Sequence, residues 1–414
     1  MTQTPDTRGP RYLWLTRFFP YPTHAGDRIY SARLIEALAD QDCQITVFVN
    51  EGGGDAALLP ALLPTGSARR VEWITCPSGG GSRMGRYPFS RLPRHALRFS
   101  APGPRQILRS VLARHNWDAV LIDYVTMGWT LPLLKATLRR MGARPMLVYV
   151  AHNHEASVRQ MAYHHSRAAL PLRLAQRIDG GRIAALERRL LATVDCVTVN
   201  TAADLALFET DAPQQRYQIL VPGYDGPQLA ERTLTAETPR RVVVVGSFDW
   251  IVKQQNLIEF LEAASRLVDH GIGIDIVGSG PTDLLDKWRH RFPYATIHGR
   301  VAAVEPYLQG ARISVVPERT GGGFKHKVLN AVFQRSPVFG IAGSITQVPL
   351  VEGQSVRLFA DFPGLVDGII RNIDTLDGLN ALQAAAYAAC KDQFHWRDRG
   401  ESLRQFLTGP KKEG

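Results

Sequence analysis

The sequence predicts an α/β protein built from two doubly wound, Rossmann-like domains that face a cleft. Short apolar strands alternate with amphipathic helices along most of the chain, which is typical of parallel sheets covered by helices on both faces. The alternation stops at residues 221–227 (VPGYDGP) and then restarts. A length of 414 residues also fits two or three domains better than one.

In the first half, the predicted strands are short apolar runs. Residues 146–150 (MLVYV) are apolar on both faces, as expected for a strand buried within a parallel sheet. Residues 29–38 place Ile29, Leu34, Ile35 and Leu38 at helical spacing. The other predicted strands are residues 12–16, 44–49, 119–122, 197–199 and 219–221, and the other helices are residues 131–141 and one long helix at about 155–192.

The second half repeats this pattern, with strands predicted at residues 242–245, 274–277, 296–298 and 311–316. We therefore expect an N-terminal domain at residues 1–222 and a C-terminal domain at residues 223–390. Residues 391–414 should supply a last helix, at about 392–407, that crosses back to the first domain. Ligands of doubly wound sheets bind at the carboxyl ends of the strands, so the cleft between the domains is the expected site.

The most informative segment is the glycine and lysine loop at residues 321–327 (GGGFKHK), which follows the strand at residues 311–316 and begins a helix. Glycines allow close approach of a ligand, and the first N–H groups of a helix favour an anion. The helix dipole disfavours Lys325 and Lys327 in the first turn, and an anionic ligand would remove this conflict. The loop therefore predicts a diphosphate site, with a flexible loop before a surface helix as the alternative.

The positive charge is concentrated in the first half of the chain. Residues 1–222 hold 27 Lys and Arg against 17 Asp and Glu, whereas residues 223–414 hold 22 against 21. Residues 73–117 contain eight arginines and no acidic residue, with Arg86, Arg91 and Arg94 interleaved with aromatic and apolar residues. This pattern fits an anionic membrane surface, and a solvated basic loop is the alternative. Nucleic acid is not an expected partner, because no recognisable nucleic-acid motif accompanies the arginines.

Three further features of the sequence indicate the cellular compartment of the protein. No run of about 18 apolar residues occurs, so no transmembrane helix is predicted. Residues 1–10 are polar and do not resemble a secretory signal. The four cysteines lie far apart and form no C-x-x-C pair, which argues against a zinc site or a disulfide framework and fits a reducing cytoplasm.

Four segments together resemble the retaining, nucleotide-sugar-dependent glycosyltransferases of GT-B architecture, of the large bacterial group 1 type. They are the opening WLTRFFPYPTHAGDRIYSARLIEALA, the HNHE at residues 152–155, the VVVVGSFDW at residues 242–250, and the VVPERTGGGFKHKVLNAVFQRSPV at residues 315–338. The resemblance covers nearly the whole chain. It implies a nucleotide sugar as donor, bound by the second domain, and an acceptor bound by the first.

The resemblance also implies roles for single residues. Gly26 matches the glycine that approaches the donor diphosphate from the first domain, and His152 matches the histidine near the reacting sugar. The implied donor-binding residues of the second domain are Lys253, Gly322, Gly323, Lys325, Lys327 and Asn330. Candidate contacts with the acceptor or with a membrane are Arg28, Asp123, Arg86, Arg91 and Arg94, although a structural cap is the favoured role for Asp123.

Three positions depart from the family pattern. The usual pair of glutamates would fall at Gly322 and Asn330, and a frequent arginine is replaced by Ser247. An amide at position 330 can still hydrogen-bond a ribose, though less strongly than a carboxylate. These changes leave open a non-catalytic homologue that binds a partner.

The chemistry implied by the resemblance is transfer of a sugar, with retention, to a glycan or a lipid-linked saccharide in bacterial surface polysaccharide synthesis. Positive side chains can stabilise the departing diphosphate, so neither a metal nor another cofactor is expected. The expected location is the cytoplasm, peripherally on the inner membrane face. A glycosyltransferase that acts on a protein or a small molecule and a nucleotide-sugar epimerase remain the alternative enzymes.

Overall fold

A computed structural model describes residues 9–23, 26–51, 66, 70–76, 84–164, 166, 169–319 and 324–411 of the chain. The residues group into two compact units. Unit 1 comprises residues 1–223 together with 395–414, and unit 2 comprises residues 224–394. Each unit is built around its own parallel sheet.

The sheet of unit 1 has seven parallel strands in the order β3-β2-β1-β4-β5-β6-β7. Its strands are β1 Arg11–Phe18, β2 Gln44–Glu51, β3 Glu72–Thr75, β4 Ala119–Asp123, β5 Met146–Val150, β6 Cys196–Val199 and β7 Arg216–Ile219. Its helices are α1 Gly26–Ala39, α2 Arg94–Phe99, α3 Pro102–Leu112, α4 Leu131–Met141, α5 Glu155–His164, α6 Leu170–Leu191 and α7 Ala202–Asp211, with 3₁₀ segments at Met84–Phe89 and Val125–Thr130.

The sheet of unit 2 has six parallel strands in the order β10-β9-β8-β11-β12-β13. Its strands are β8 Arg241–Val245, β9 Gly273–Val277, β10 Thr296–Gly299, β11 Ile313–Val316, β12 Val338–Ile341 and β13 Arg357–Phe359. Its helices are α8 Ile251–Asp269, α9 Thr282–Arg291, α10 Glu305–Gln309, α11 His326–Phe333, α12 Phe362–Asn372 and α13 Leu376–Cys390.

Both strand orders are those of doubly wound sheets, which confirms the predicted fold class. The central strands are buried on both faces because helices cover both sides of each sheet. Strand β4, for example, is inaccessible along its whole length, and so is β11. This explains why the strands read as continuous apolar runs rather than as alternating patterns.

The last helix, α14 Trp396–Leu407, belongs to unit 1 although it follows unit 2 in the chain. It packs along α1, where Gly400 lies directly against the backbone of Ala37. The Arg399 guanidinium also donates a hydrogen bond to the carbonyl of Val221 at 2.9 Å. The chain therefore leaves unit 1 near residue 223 and returns to it near residue 395.

One predicted element was wrong. Residues 155–192 were expected to form a single helix, but the structure has two helices, α5 and α6, that pack against each other. Pro171 stands in the first turn of α6, where a missing N–H has no cost, whereas within one continuous helix it would break a hydrogen bond and clash with the preceding turn.

Among the described helices, none combines the length and the apolar character that a bilayer crossing requires.

The contact between α14 and α1 gives a prediction about stability. A methyl group added at Gly400 would overlap the Ala37 carbonyl, so Gly400→Ala should lower the free energy of unfolding by about 2 kcal/mol, as overpacked cores do. Denaturant unfolding followed by tryptophan fluorescence measures the change. Gly103→Ala in α3 is the control, because an added methyl group meets nothing there; equal stability of the two variants would contradict the packing described for α14.

Candidate functional site

Both sheets reverse their strand order at one place. In unit 1 the reversal lies between β1 and β4, and in unit 2 it lies between β8 and β11. The connections on either side of such a reversal leave the sheet in opposite directions, which opens a crevice at the carboxyl ends of the strands. The charged side chains of interest lie at these two places.

In unit 2, a buried carboxylate gathers the lysines that the sequence singled out. Glu318, two residues beyond β11, is 6% exposed. Its Oε2 lies 3.1 Å from Nζ of Lys325, and its Oε1 pairs with Nζ of Lys327. Lys253, in the first turn of α8, adds its positive charge to the same group. We call these four residues the lysine cluster.

The lysine cluster lies at the strand reversal itself. The ammonium of Lys327 would be 3.9 Å from a Cβ built on Gly246, the residue that follows β8. Glu318 follows β11, the strand paired with β8. The cluster therefore stands at the carboxyl edge of the two central strands, where a doubly wound sheet binds its ligand.

Electrostatics inside the lysine cluster are strong. Burial by itself would raise the pKa of the Glu318 carboxyl, but Lys327, Lys325 and Lys253 together lower it to about 2. Burial lowers the pKa of Lys327, helped by the neighbouring lysines and opposed by Glu318. Three ammonium groups face one carboxylate, so the cluster keeps an excess of positive charge that suits an anion.

Glu318 changes the interpretation of the lysine positions. The sequence indicated that Lys325 and Lys327 conflict with the dipole of α11 and need an anionic ligand. Lys325 is the N-cap of α11 and Lys327 is in its first turn, but Glu318 already supplies a negative charge. Sequence reasoning missed this residue, although an acidic residue directly after a buried strand was the available signal.

The backbone around the lysine cluster leaves little room for side chains. Gly278, at the end of β9, has φ of 149°, and any Cβ there would overlap the carbonyl of Gly246.

Asn330 lies on α11 three residues after Lys327, and so on the same side of the helix. Gly322 and Gly323 lie outside the described residues, so their predicted contacts with the donor stay predictions.

In unit 1, a histidine and an aspartate lie at the strand reversal. His152 follows β5 and is 7% exposed, and its Nε2 lies 2.6 Å from Oδ1 of Asp123, the last residue of β4. The indole of Trp14 on β1 donates to the other oxygen of Asp123 at 3.0 Å. A carboxylate only accepts, so Nε2 of His152 carries a proton and Nδ1 is left to face other groups.

The residue after Asp123 holds the imidazole in place. The ring of Tyr124 stacks on that of His152 with centroids 4.0 Å apart. Tyr124 has φ of 74°, a left-handed conformation that disfavours residues with side chains. Such strain is held by its surroundings and concentrates at functional sites.

Positive charge also lies near this histidine. The Arg17 guanidinium lies 3.8 Å from the ring centre of Tyr124 and pairs with Asp27 at 2.8 Å. Burial alone would raise the pKa of Asp27, but Arg17 and His152 hold it below its usual value. Gly26 begins α1, and Arg28 is half-buried against Phe18. Sequence reasoning identified Gly26 and Arg28 but missed Arg17.

Asp123 is fully buried, and both of its oxygens are engaged by Trp14 and His152. This geometry supports a positioning role, in line with the structural role that the sequence favoured, rather than a contact with the acceptor or a membrane. The physical reason is that a fully buried carboxylate has neither an exposed surface nor a free hydrogen-bonding oxygen for a ligand.

A second buried carboxylate supports the loop that carries His152. Glu187 on α6 is 1% exposed and accepts hydrogen bonds from the backbone N–H groups of Glu155 and Ala156, which begin α5. The hydroxyl of Tyr149 donates to it as well. Glu187 therefore caps α5 from outside that helix, just beyond residues 152–154. No sequence pattern singled it out.

The described part of the predicted basic segment includes a 3₁₀ segment and helix α2. Arg86 lies in the 3₁₀ segment Met84–Phe89, Arg91 follows that segment, and Arg94 begins α2; all three are exposed. The described part of the chain contains no group of three or more His, Cys, Asp or Glu side chains placed to hold a metal. Metal-independent transfer stays a prediction.

Two family models match the chain. The model described as a glycosyl transferase 4-like domain matches residues 26–223, and the model described as glycosyl transferases group 1 matches residues 239–374. Together they account for most of both units. Among curated proteins, no sequence matches this chain.

Solved structures resemble the chain over nearly its full length. Sucrose-phosphate synthase from Thermosynechococcus elongatus superposes with a TM-score of 0.71 at 17% identity, covering 96% of this chain and 98% of that one. WaaG, a glycosyltransferase involved in lipopolysaccharide biosynthesis, gives 0.64 at 17% identity, covering 97% and 100%. The Anabaena protein HepE, in complex with UDP-glucose, gives 0.63 at 13% identity, covering 96% and 99%.

The architecture is therefore the two-domain GT-B fold. With a glycosyltransferase model matched to most of each unit, the protein belongs to the glycosyltransferases and is an enzyme of sugar transfer.

The cap on α5 predicts a pH dependence. Burial raises the pKa of Glu187 to about 7 from an ordinary 4.5. Because the folded state binds this proton more tightly, the stability it contributes is complete below the unfolded pKa and is lost as the pH rises through the folded one. Glu187→Gln should therefore reduce the difference between the free energies of unfolding at pH 5 and pH 8 by about 2 kcal/mol.

Denaturant unfolding at the two pH values measures this difference, with Glu209→Gln, an exposed carboxylate on α7, as the control. An identical pH dependence in wild type and Glu187→Gln would show that Glu187 does not hold its proton in the folded protein.

Proposed function

We propose that this glycosyltransferase moves a sugar from a nucleoside diphosphate sugar to a glycan or lipid-linked saccharide of a bacterial surface polysaccharide. The lysine cluster at the strand reversal of unit 2 carries the proposal. An excess of ammonium groups beside the N-terminus of α11 is an arrangement that binds a diphosphate. The bound UDP-glucose in the similar HepE structure is consistent with such a donor.

The reaction breaks the bond between the anomeric carbon and the β-phosphate oxygen and forms one between that carbon and an acceptor oxygen. Negative charge develops on the departing diphosphate, where Lys253, Lys325 and Lys327 stabilise it. The acceptor proton passes to the departing phosphate oxygen, and the anomeric configuration is retained. Neither a metal nor a protein general base is needed for this balance.

His152 is the residue of unit 1 that we place beside the donor sugar. Asp123 fixes its Nε2 and Tyr124 fixes the plane of its ring. The remaining Nδ1 is then free of Asp123 and can form a hydrogen bond with a sugar hydroxyl. Asp123 acts as a positioning residue, because it reaches the ligand only through the histidine.

The donor site predicts a specific loss on mutation. Lys327→Ala removes one ammonium from the diphosphate and leaves Glu318 paired with Lys325, so affinity for a nucleoside diphosphate should fall about tenfold or more, as for a charge-assisted contact. UDP, GDP and ADP, each free and as a sugar conjugate, are screened by thermal shift without added metal, since binding to the folded state alone raises Tm. Calorimetry then gives the affinity of the nucleotide that binds.

Lys287→Ala is the control, because it removes an exposed lysine from α9 in the same unit. Failure of well-folded wild-type protein to bind any of these nucleotides would contradict the proposal and favour a non-catalytic homologue. Unchanged affinity in folded Lys327→Ala would remove Lys327 from the donor site.

For the acceptor, we propose a lipid-linked saccharide reached from the inner membrane face. The basic segment supports this proposal, and so does a set of exposed apolar side chains in the described structure. Phe89 is 92% exposed, and the first half of α6 exposes Leu170, Leu172, Leu174 and Ile178 by 78, 56, 59 and 45%. Apolar side chains grouped this way on a surface mark a contact with a membrane or a protein.

Helix α6 links the basic and the apolar groups, because it carries the exposed leucines and also holds the 3₁₀ segment. The hydroxyl of Tyr87 and the backbone N–H of Arg94 both donate to Asp179 of α6, at 2.8 and 2.7 Å. Arg182 of α6 donates to the carbonyls of Tyr87 and Pro88. Exposed Arg86, Arg91 and Arg94 therefore belong to a region anchored on the helix that carries the exposed leucines, and this combination of charge and polarity suits an anionic bilayer.

This surface predicts binding to anionic vesicles. The protein should sediment with vesicles of phosphatidylglycerol and phosphatidylcholine but not with phosphatidylcholine alone, because both charge and apolar insertion are needed. The double variant Leu170→Asp/Leu174→Asp should bind about tenfold more weakly or worse, because these two exposed leucines, four residues apart on one face of α6, could no longer insert into the bilayer.

Leu207→Asp, at an exposed leucine on α7 in the same unit, is the matched control and should bind like wild type. The membrane assignment would be contradicted if all variants sedimented equally with the vesicles. It would also be contradicted if the wild type bound no vesicles but formed a concentration-dependent dimer that the double variant abolished.

A further inference from the structure

Glu318 is not explained by donor binding alone. A carboxylate inside a site for an anion repels its ligand, yet this one is 6% exposed and is held by two of the lysines that should bind the diphosphate. Its pKa of about 2 keeps it ionised at any physiological pH. The residue therefore imposes a permanent negative charge on the site.

The ligands of such a site differ in charge before and after reaction. In a nucleoside diphosphate sugar, each of the two phosphates carries one negative charge. In the released nucleoside diphosphate, the terminal phosphate loses a second proton with a pKa of about 6, so the product carries one further negative charge at neutral pH. A purely positive site would hold the product more tightly than the donor.

We propose that Glu318 is a charge-matching residue that weakens binding of the nucleoside diphosphate product relative to the nucleotide-sugar donor. With Glu318 ionised, its negative charge offsets part of the positive charge of the three lysines. The same negative charge repels the product more than the donor, because the product carries one further negative charge. The inference rests on the proposed donor site and adds selectivity between its two ligands.

Glu318 also keeps the lysines usable. Burial and mutual repulsion lower the pKa of Lys327, and the carboxylate opposes that fall. Glu318 therefore favours the protonated form of Lys327 beside the other two lysines. Glu318 thus has two effects: it stabilises three neighbouring ammonium groups, and it weakens binding of the product.

Coulomb attraction scales with the charge of the ligand, which gives the test a quantitative signature. Glu318→Gln removes the charge but keeps the shape and a hydrogen-bond acceptor. It should tighten UDP-glucose binding about tenfold and UDP binding about thirtyfold at low ionic strength, because UDP-glucose carries about two negative charges and UDP about three. The Kd for UDP divided by the Kd for UDP-glucose should therefore fall about threefold relative to wild type.

Calorimetry at pH 7.5 measures both Kd values, with GDP and GDP-mannose or ADP and ADP-glucose as the pair if one of those nucleotides gives the thermal shift. Glu318→Met removes the same charge with a similar volume and serves if the glutamine variant does not fold. Glu318→Asp keeps the charge and should keep the wild-type ratio. Asp367→Asn, which removes an exposed carboxylate paired with Arg266 on another face of unit 2, should change neither affinity.

The outcomes separate this inference from the proposed function. Binding of both ligands by wild type, with an unchanged ratio in folded Glu318→Gln and Glu318→Met, overturns charge matching and leaves the donor site intact. Weaker binding of both ligands in these variants also overturns it, because Glu318 would then only orient the lysines. Absence of any nucleotide binding by wild type overturns the proposed function and this inference together.

Discussion

The reversal of strand order in each parallel sheet is the constraint on which the site chemistry depends. Only there do neighbouring loops diverge, so only there can residues far apart in the chain meet at an open edge. In unit 2 the reversal brings Gly246 beside Lys327 and Glu318. In unit 1 it brings Asp123 beside Trp14 and within reach of His152.

Both sites use a buried carboxylate to organise a partner that carries positive charge or a proton. Asp123 fixes the orientation of His152, and Glu318 binds Lys325 and Lys327. Burial makes each of these interactions stronger than it would be on the surface, because water does not screen it. The same burial makes each carboxylate costly to leave unpaired, which ties the geometry of the sites to the stability of the fold.

Helix α6 supports both the loop that carries His152 and the 3₁₀ segment Met84–Phe89. Glu187 holds the first turn of α5, which follows the His152 loop directly. Asp179 and Arg182, on the same helix α6, hold the 3₁₀ segment that presents Phe89. One helix therefore supports the histidine loop through one turn and the proposed membrane surface through others.

The sequence by itself determined the fold class, the two blocks of strands and three lysines of the lysine cluster, because strand and helix periodicity and glycine-lysine spacing are local properties. It did not separate α5 from α6, since the periodicity continues through residues where Pro171 starts a new helix. It favoured a structural role for Asp123 without identifying Trp14 and His152 as its partners, and it missed Glu318, Arg17 and Glu187. What these side chains do depends on partners distant in the chain, and only tertiary packing decides which charges meet in a place that water does not reach.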